Sequence, residues 1–223
     1  MRSCFVLALA CCAAARAQPD ESAEKAAIAA VEKAGGKAAL DDKLPAAARV
    51  SAKFDRATDA TFAALKKATA VGAIDAFDAT LCTEKGFAAL KELPHLHKLM
   101  LGKSRLSLAS TKALAECGQL RTLYAARSGL TDAELAPLKK LVLLEALDLG
   151  ENPQITDKGM ATVKELERLR ALELGRTAIT DKGLFELQGL DGLRKLSVFE
   201  TKVTEAAATK FVDAMPNLRT IKR

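Results

Sequence analysis

The sequence predicts an α/β solenoid in which short strands, turns and helices repeat and stack. Three observations predict it. Leu96, Leu120, Leu144, Leu169, Leu193 and Leu218 follow one another at intervals of 24 or 25 residues, and a fixed period in that range marks a repeat architecture. Within each interval the hydrophobic pattern also changes period. With the first leucine as position 0, apolar residues at 3 and 5 alternate as in a strand with one buried face, whereas those at 15, 18 and 21 keep helical spacing. Finally, one interval cannot fold alone. Fixing its backbone costs on the order of 1 to 2 kcal/mol per residue, while six or seven buried aliphatic side chains return roughly 1.5 to 3 kcal/mol each. Neighbours must lie edge to edge and share strand hydrogen bonds.

Taken in chain order, Met1-Arg2 gives a short positive start, Cys4 to Ala15 an apolar run of small residues, and Ala15-Arg16-Ala17 an A-x-A cleavage site. Residues 1–17 therefore read as a secretory signal peptide, too short to span a bilayer, and imply export to a periplasmic or extracellular space. An uncleaved apolar start and a lipid anchor on Cys11 or Cys12 are the alternatives. Three of the five cysteines fall in this stretch, so Cys82 and Cys117 alone remain and build no disulfide framework.

Residues 18–46 lack the repeat. Ala26, Ile28, Ala29 and Val31 are spaced for a helix that Gly35-Gly36 ends, which reads as a cap over the first unit's open core. Residues 47–223 hold the repeats, about six full copies and a partial last one. A degenerate copy starts near Ala47 with Val50, Phe62 and Leu65, and a weak copy at Gly72 carries Phe77, Cys82, Phe87, Leu90 and Leu93. The regular copies are typified by Leu169, Leu172, Leu174, Ile179, Leu184, Leu187 and Leu190.

Two polar positions have mechanical roles. Thr80, Ser104, Ser128, Asn152, Thr177 and Thr201 share position 8, where a ladder of short hydrogen-bonding groups can satisfy the backbone of the bend. Thr83, Ser107, Thr131, Thr156, Thr180 and Thr204 precede each helix as N-caps, and Thr131 with Glu134 spells a capping box. The extra residue of the copy from Leu144 falls in the loop at Asn152-Pro153.

The recurring L-x-x-L-x-L-x-x-[TSN]-x-[IL]-T-D-x-G-L pattern resembles leucine-rich repeats of the ribonuclease-inhibitor-like, cysteine-containing class, and is similar to short exported bacterial versions of planctomycete type. The resemblance covers Leu96 to Arg223 and, more weakly, Ala47 to His95. It implies a right-handed horseshoe with a parallel sheet on the concave face, helices on the convex face, and a role in binding proteins. Thr, Ser or Asn replaces the cysteine usual near the strand end, and residues 18–46 cannot hold an F-box, so the ubiquitin-ligase role of eukaryotic relatives does not transfer.

Function is then sought on the face between the buried strand residues. Position 4 reads Ala76, Met100, Tyr124, Asp148, Glu173, Ser197 and Lys222. Met100, Tyr124, Asp148 and Glu173 would form one column at a rung spacing of about 4.8 Å, an apolar and acidic surface suited to a protein or peptide partner that presents Lys or Arg. Position 6 is mostly small, with Gly102, Ala126, Gly150 and Gly175, so the surface is shallow and a solvated face without function is the competing reading. Phe199 beside Lys195 is a second candidate. Position 7, with Lys103, Arg127, Glu151, Arg176 and Glu200, alternates in sign and reads as a self-neutralising ladder. Position 1, with His97, Arg121, Glu145, Arg170, Arg194 and Arg219, is a more basic rim. Its Arg121, Arg170, Arg194 and Arg219 form the alternative site, for an acidic glycan or cell-envelope polymer.

Other chemistry is excluded. The net charge of +6 includes Arg2 and Arg16, acids and bases are interspersed, and there is no Trp and one Tyr, a balance for solubility rather than nucleic acid. No later stretch is long enough to span a membrane. His95 and His97 lack further ligands for a metal, Cys82 and Cys117 fall on core positions, and no nucleophile–base set or phosphate-binding glycine loop occurs. The expectation is a monomeric binding module with no cofactor and no enzymatic activity.

Overall fold

The structure, a computed structural model, describes residues 20–222; the leader read at residues 1–17 and the terminal Arg223 lie outside the described residues. Helix α1 (Glu21–Lys33) starts at Asp20, whose carboxylate accepts from the N–H groups of Ser22 and Ala23 at 3.0 and 3.1 Å, and ends ahead of Gly35, which takes the left-handed φ of 79°. Ala27 and Val31 are its buried apolar residues. Glu24 is also buried, and its carboxylate is held bidentately by Arg49 at 2.8 and 3.0 Å, a geometry that offsets the cost of burying the charge. Sequence spacing gives a helix alone in this region. The structure adds strand β1 (Lys37–Leu40), which runs antiparallel to β2 (Val50–Lys53) and closes the edge of an otherwise parallel sheet. A short edge strand carrying Lys37 is a poor template for further pairing.

From β2 onward the order is sequential and parallel through β3 (Val71–Asp75), β4 (Lys98–Met100), β5 (Thr122–Tyr124), β6 (Ala146–Asp148), β7 (Ala171–Glu173), β8 (Lys195–Ser197) and β9 (Thr220–Lys222). A helix follows each of β2 to β8: α2 (Asp59–Ala64), α3 (Glu84–Ala89), α4 (Leu108–Leu114), α5 (Asp132–Leu135), α6 (Asp157–Val163), α7 (Asp181–Phe185) and α8 (Glu205–Ala214). The core between the layers is one continuous cluster, with Leu99, Leu123, Leu147, Leu172 and Leu196 stacked at position 3. Each rung thus buries the leucine of the next, as stacking of non-autonomous units requires.

The first well-formed unit is shifted by one residue from its sequence reading. Ala73, Ile74 and Asp75 pair with Lys98, Leu99 and Met100, so this unit begins at Val71 rather than Gly72. Ile74 and Ala76 fill its core, whereas Phe77, read as a core residue, is 51% exposed on the sheet face. The cause is an extra residue in the loop before Cys82, where Leu81 swings outward; aligning on Cys82 displaces everything before it. Gly72 itself faces the backbone of Ala48, whose carbonyl oxygen would lie 2.1 Å from a Cβ.

The same shift removes Thr80 from the position-8 ladder. Its exposed hydroxyl bonds Asp78, and buried Ala79 occupies the column. The remainder of the ladder forms: Ser104 donates to Leu101 O, Ser128 to Leu101 O, Thr177 to Leu174 O and Thr201 to Val198 O. Asn152 serves most partners, donating to the carbonyls of Ala125, Leu149 and Gly150 and accepting from the N–H groups of Ser128 and Leu130.

The T-D-x-G phrase does more than start helices. Asp157 accepts both the N–H and the hydroxyl of Thr180, the next unit's N-cap, at 2.7 Å each. Asp59, Asp132 and Asp181 hold Thr83, Thr156 and Thr204 in the same way. The glycine belongs to this clamp, since a Cβ at Gly183 would stand 2.3 Å from Asp157 Oδ1. Where no clamp arrives, the helix closes on itself. Thr58, Ser107 and Thr131 bond Thr61, Ser110 and Glu134 three residues on, which satisfies the same orphan N-terminal groups internally.

Candidate binding face

The sheet pairs Met100 with Tyr124, Tyr124 with Asp148, and Asp148 with Glu173. In parallel strands paired residues point to the same side, so these four side chains form one half-buried column, extended by Ser197 and Lys222. At its other end the shifted register replaces Ala76 by Asp75, which pairs with Met100 and lies 3.9 Å from Lys53. Phe77, displaced from the core, spreads its ring over Gly102, with Lys103 Nζ 5.6 Å from the ring centre. The face is thus apolar toward Phe77, Met100 and Tyr124 and acidic at Asp148 and Glu173. The one-residue shift of this unit hides Phe77 from the leucine spacing, and its place next to the alternating buried Ile74 and Ala76 is the signal that sets it outside.

The two carboxylates are fixed by their own turns. Asp148 Oδ1 accepts the N–H of Gly150 and Glu173 Oε1 that of Gly175, both at 2.8 Å. Among the described residues neither forms an ion pair. Burial pushes the Asp148 carboxyl above the usual range, the Gly150 N–H partly opposes this, and the neighbouring charges of Glu173 and Glu151 push it further up. Position 7 behaves oppositely. Arg127 and Arg176 approach Glu151 at 2.6 and 3.5 Å and Arg176 reaches Glu200 at 2.5 Å, and the Arg127 hydrogen bond holds Glu151 below the usual carboxylate range. Lys103, Arg127, Glu151, Arg176 and Glu200 all adopt left-handed φ between 51° and 59°, a conformation that favours glycine.

Beside the carboxylates lies a hollow of about 240 Å³ floored by Gly150 and Gly175 and bordered by Ser197, Phe199 and Lys222. Phe199 does not meet Lys195. Its neighbours are the Arg176 guanidinium at 5.7 Å and Lys222 Nζ at 5.5 Å, because Lys195 sits at position 2, roughly 13 Å back along an extended chain. The basic rim is likewise divided. Glu145 lies 2.8 Å from Arg121 and 3.8 Å from Arg170, which leaves Arg194 and Arg219 outside any ion pair among the described residues.

A larger hollow of about 1110 Å³ opens under the loop of residues 41–47, against His97, Lys98 and Arg121. Of its charges, Arg49 is held by Glu24 and Asp42 and Arg121 by Glu145, and Asp41, Lys43 and Lys98 also line it. No sequence signal marks it, since it arises where the loop folds over the sheet edge. His97 Nδ1 contacts the carbonyl of His95, and among the described residues no group of three or more His, Cys, Asp or Glu is placed to hold a metal. No helix among them is long and apolar enough to cross a membrane.

The Leucine Rich repeat family model matches residues 140–163 and 168–187. No curated protein matches the sequence. Among solved structures, internalin C2 of Listeria monocytogenes superposes with a TM-score of 0.55 at 20% identity, covering 93% of this chain and 97% of that one. TLR13, in its complex with ssRNA13, gives a TM-score of 0.55 at 18% identity over 70% of this chain, and this chain spans 23% of its length. The unit geometry, the matched segments and these similarities together make the fold that of a leucine-rich-repeat solenoid, an α/β stack with its parallel sheet on the concave face.

Proposed function

We propose that the chain is an exported binding module whose concave face receives a protein or peptide through Phe77, Met100, Tyr124, Asp148 and Glu173. The observation that carries this reading is the in-register column with an apolar half and two carboxylates that the protein leaves unneutralised. A cationic group from a partner relieves the repulsion between them, and Tyr124 and Met100 supply the surface to bury beside it. A nucleic-acid ligand, as in the TLR13 complex, is disfavoured on this face by the same charges. In this reading residues 1–17 are the leader, 18–46 the cap and 47–223 the repeats, of ribonuclease-inhibitor-like class. The module is a monomer that performs no catalysis. The rim formed by Arg121, Arg170, Arg194 and Arg219 is the weaker anion site, because Glu145 neutralises its centre.

Changing Tyr124 and Asp148 together to Ala tests the face. Two anchors of about 2 kcal/mol each correspond to capture of the native partner weakened by 100-fold or more, on the order expected of hot spots, with helix content unaltered. Capture that survives the double change removes the concave face from consideration.

A further inference from the structure

We propose that the notch between Asp148 and Glu173 is a receptor for one arginine side chain of the partner. This rests on the concave-face reading and narrows it to a single chemical group. The two carboxylates stand on adjacent paired rungs, about 4.8 Å apart at the backbone. Each turns one oxygen back onto its own glycine N–H, at Gly150 and at Gly175, so one oxygen of each is left to face outward. A planar guanidinium with five donors bridges two such acceptors, whereas a compact ammonium acts as a point charge.

Two further features point to the same ligand, and the first is independent of the acids. Ser197 occupies the next rung of the same column, is only 7% exposed, and its Oγ has no hydrogen-bond partner; it borders the hollow. A hydroxyl withheld from water without a partner costs free energy, and a guanidinium N–H supplies what it lacks. The floor is also shaped for a flat group. A Cβ on Gly175 would stand 2.7 Å from Glu173 Oε1 and 3.2 Å from the Phe199 carbonyl oxygen, so a larger residue would displace the carboxylate and raise the floor together. Phe199 borders one side, its ring already engaged by Arg176 and Lys222 at 5.7 and 5.5 Å. Around the hollow, Glu151 and Arg176 are already in ion pairs. Asp148 and Glu173 against Lys222 leave a net charge of about −1, which one arginine neutralises.

The test is a ¹H–¹⁵N NMR titration of the full chain with N-acetyl-arginine amide, and in parallel with its lysine and citrulline counterparts. The arginine amide should bind in the millimolar range, shift the Gly150 and Gly175 amide signals, and exceed the lysine amide by about fivefold or more; the uncharged citrulline amide should not bind. Asp148→Asn with Glu173→Gln should abolish the shifts, and Ser197→Ala should weaken binding by about tenfold or more, the worth of one hydrogen bond to a charged group. Equal binding of the lysine or citrulline amide, shifts confined to other rungs, or binding retained in the Asn/Gln variant overturns the proposal. Should the arginine amide fail while partner capture still depends on Tyr124, the arginine notch falls and the concave face stands. Should it bind at Gly150 and Gly175 while capture ignores Tyr124, the notch stands and the wider face falls.

Discussion

Replacing Asp157 by Ala tests how the units are tied together. Its carboxylate accepts two bonds of 2.7 Å from Thr180 and a further one from the Gly183 N–H. Bonds to a charged acceptor contribute about 1.5 kcal/mol or more each, and partial exposure lets water take over some of them, so the substitution should cost about 3 kcal/mol. For a chain of this size that corresponds to a fall in Tm of roughly 6 to 12 °C. Gly183→Ala should cost about 2 kcal/mol although alanine favours helices, because its Cβ would enter the carboxylate at 2.3 Å. The informative measurement is the double-mutant cycle, read by urea unfolding with circular dichroism. With Asp157 already replaced, the carboxylate atoms at 2.3 and 3.1 Å are gone and the nearest remaining contact is the Cα at position 157, at 3.1 Å, so its cost should drop by about 1 to 2 kcal/mol. Single effects below about 0.5 kcal/mol, or strict additivity, would refute the clamp.

Other consequences follow from the same contacts. Asn152→Ala strands the Ala125 and Leu149 carbonyls and two N–H groups, while the Gly150 carbonyl keeps the Arg127 N–H, and should cost about 4 kcal/mol in denaturant unfolding, whereas Asn152→Ser should cost about half, since Ser104 and Ser128 fill equivalent positions. Burial, and behind it nearby Asp59 and Asp78 for Cys82 and Glu116 for Cys117, pushes both thiols up to about 12, so an aromatic disulfide reagent at pH 8 should label them only once the chain unfolds. Asp148 is harder to ionise folded than unfolded; its charge therefore opposes folding above its unfolded pKa of about 3.9 and ceases to do so below it. Asp148→Asn should raise the urea midpoint at pH 7 and leave it unchanged near pH 3.

The sequence disclosed the architecture because each leucine column repeats the same burial every 24 or 25 residues, and from Leu96 onward that spacing also placed Met100, Tyr124, Asp148 and Glu173 correctly in one column. It failed where the spacing changes. The extra loop residue before Cys82 moved Phe77 from the core to the exposed sheet face. Periodicity also reports only the position of a residue within its own unit, so bonds between units were invisible. Asp157 reads as an ordinary helix start until the structure shows it holding Thr180, and Glu145 reads as one acid in a basic stripe until it is seen between two arginines. The burial of Ser197, an ordinary polar residue by type, depends on its neighbours across the rungs and has no local signature. Strand β1 pairs backwards with β2 through a segment that has no repeat to compare it with.

The most direct test of the account is the titration of the Asp148 carboxyl carbon by ¹³C NMR, in the free protein and with N-acetyl-arginine amide present. An unneutralised carboxylate on the concave face should titrate above the ordinary aspartate value of about 3.9 when free and shift downward once the guanidinium is bound. A carboxyl that already titrates at or below that value in the free protein, with no response to the ligand, would show that the charge is satisfied within the fold and that this face does not await a partner.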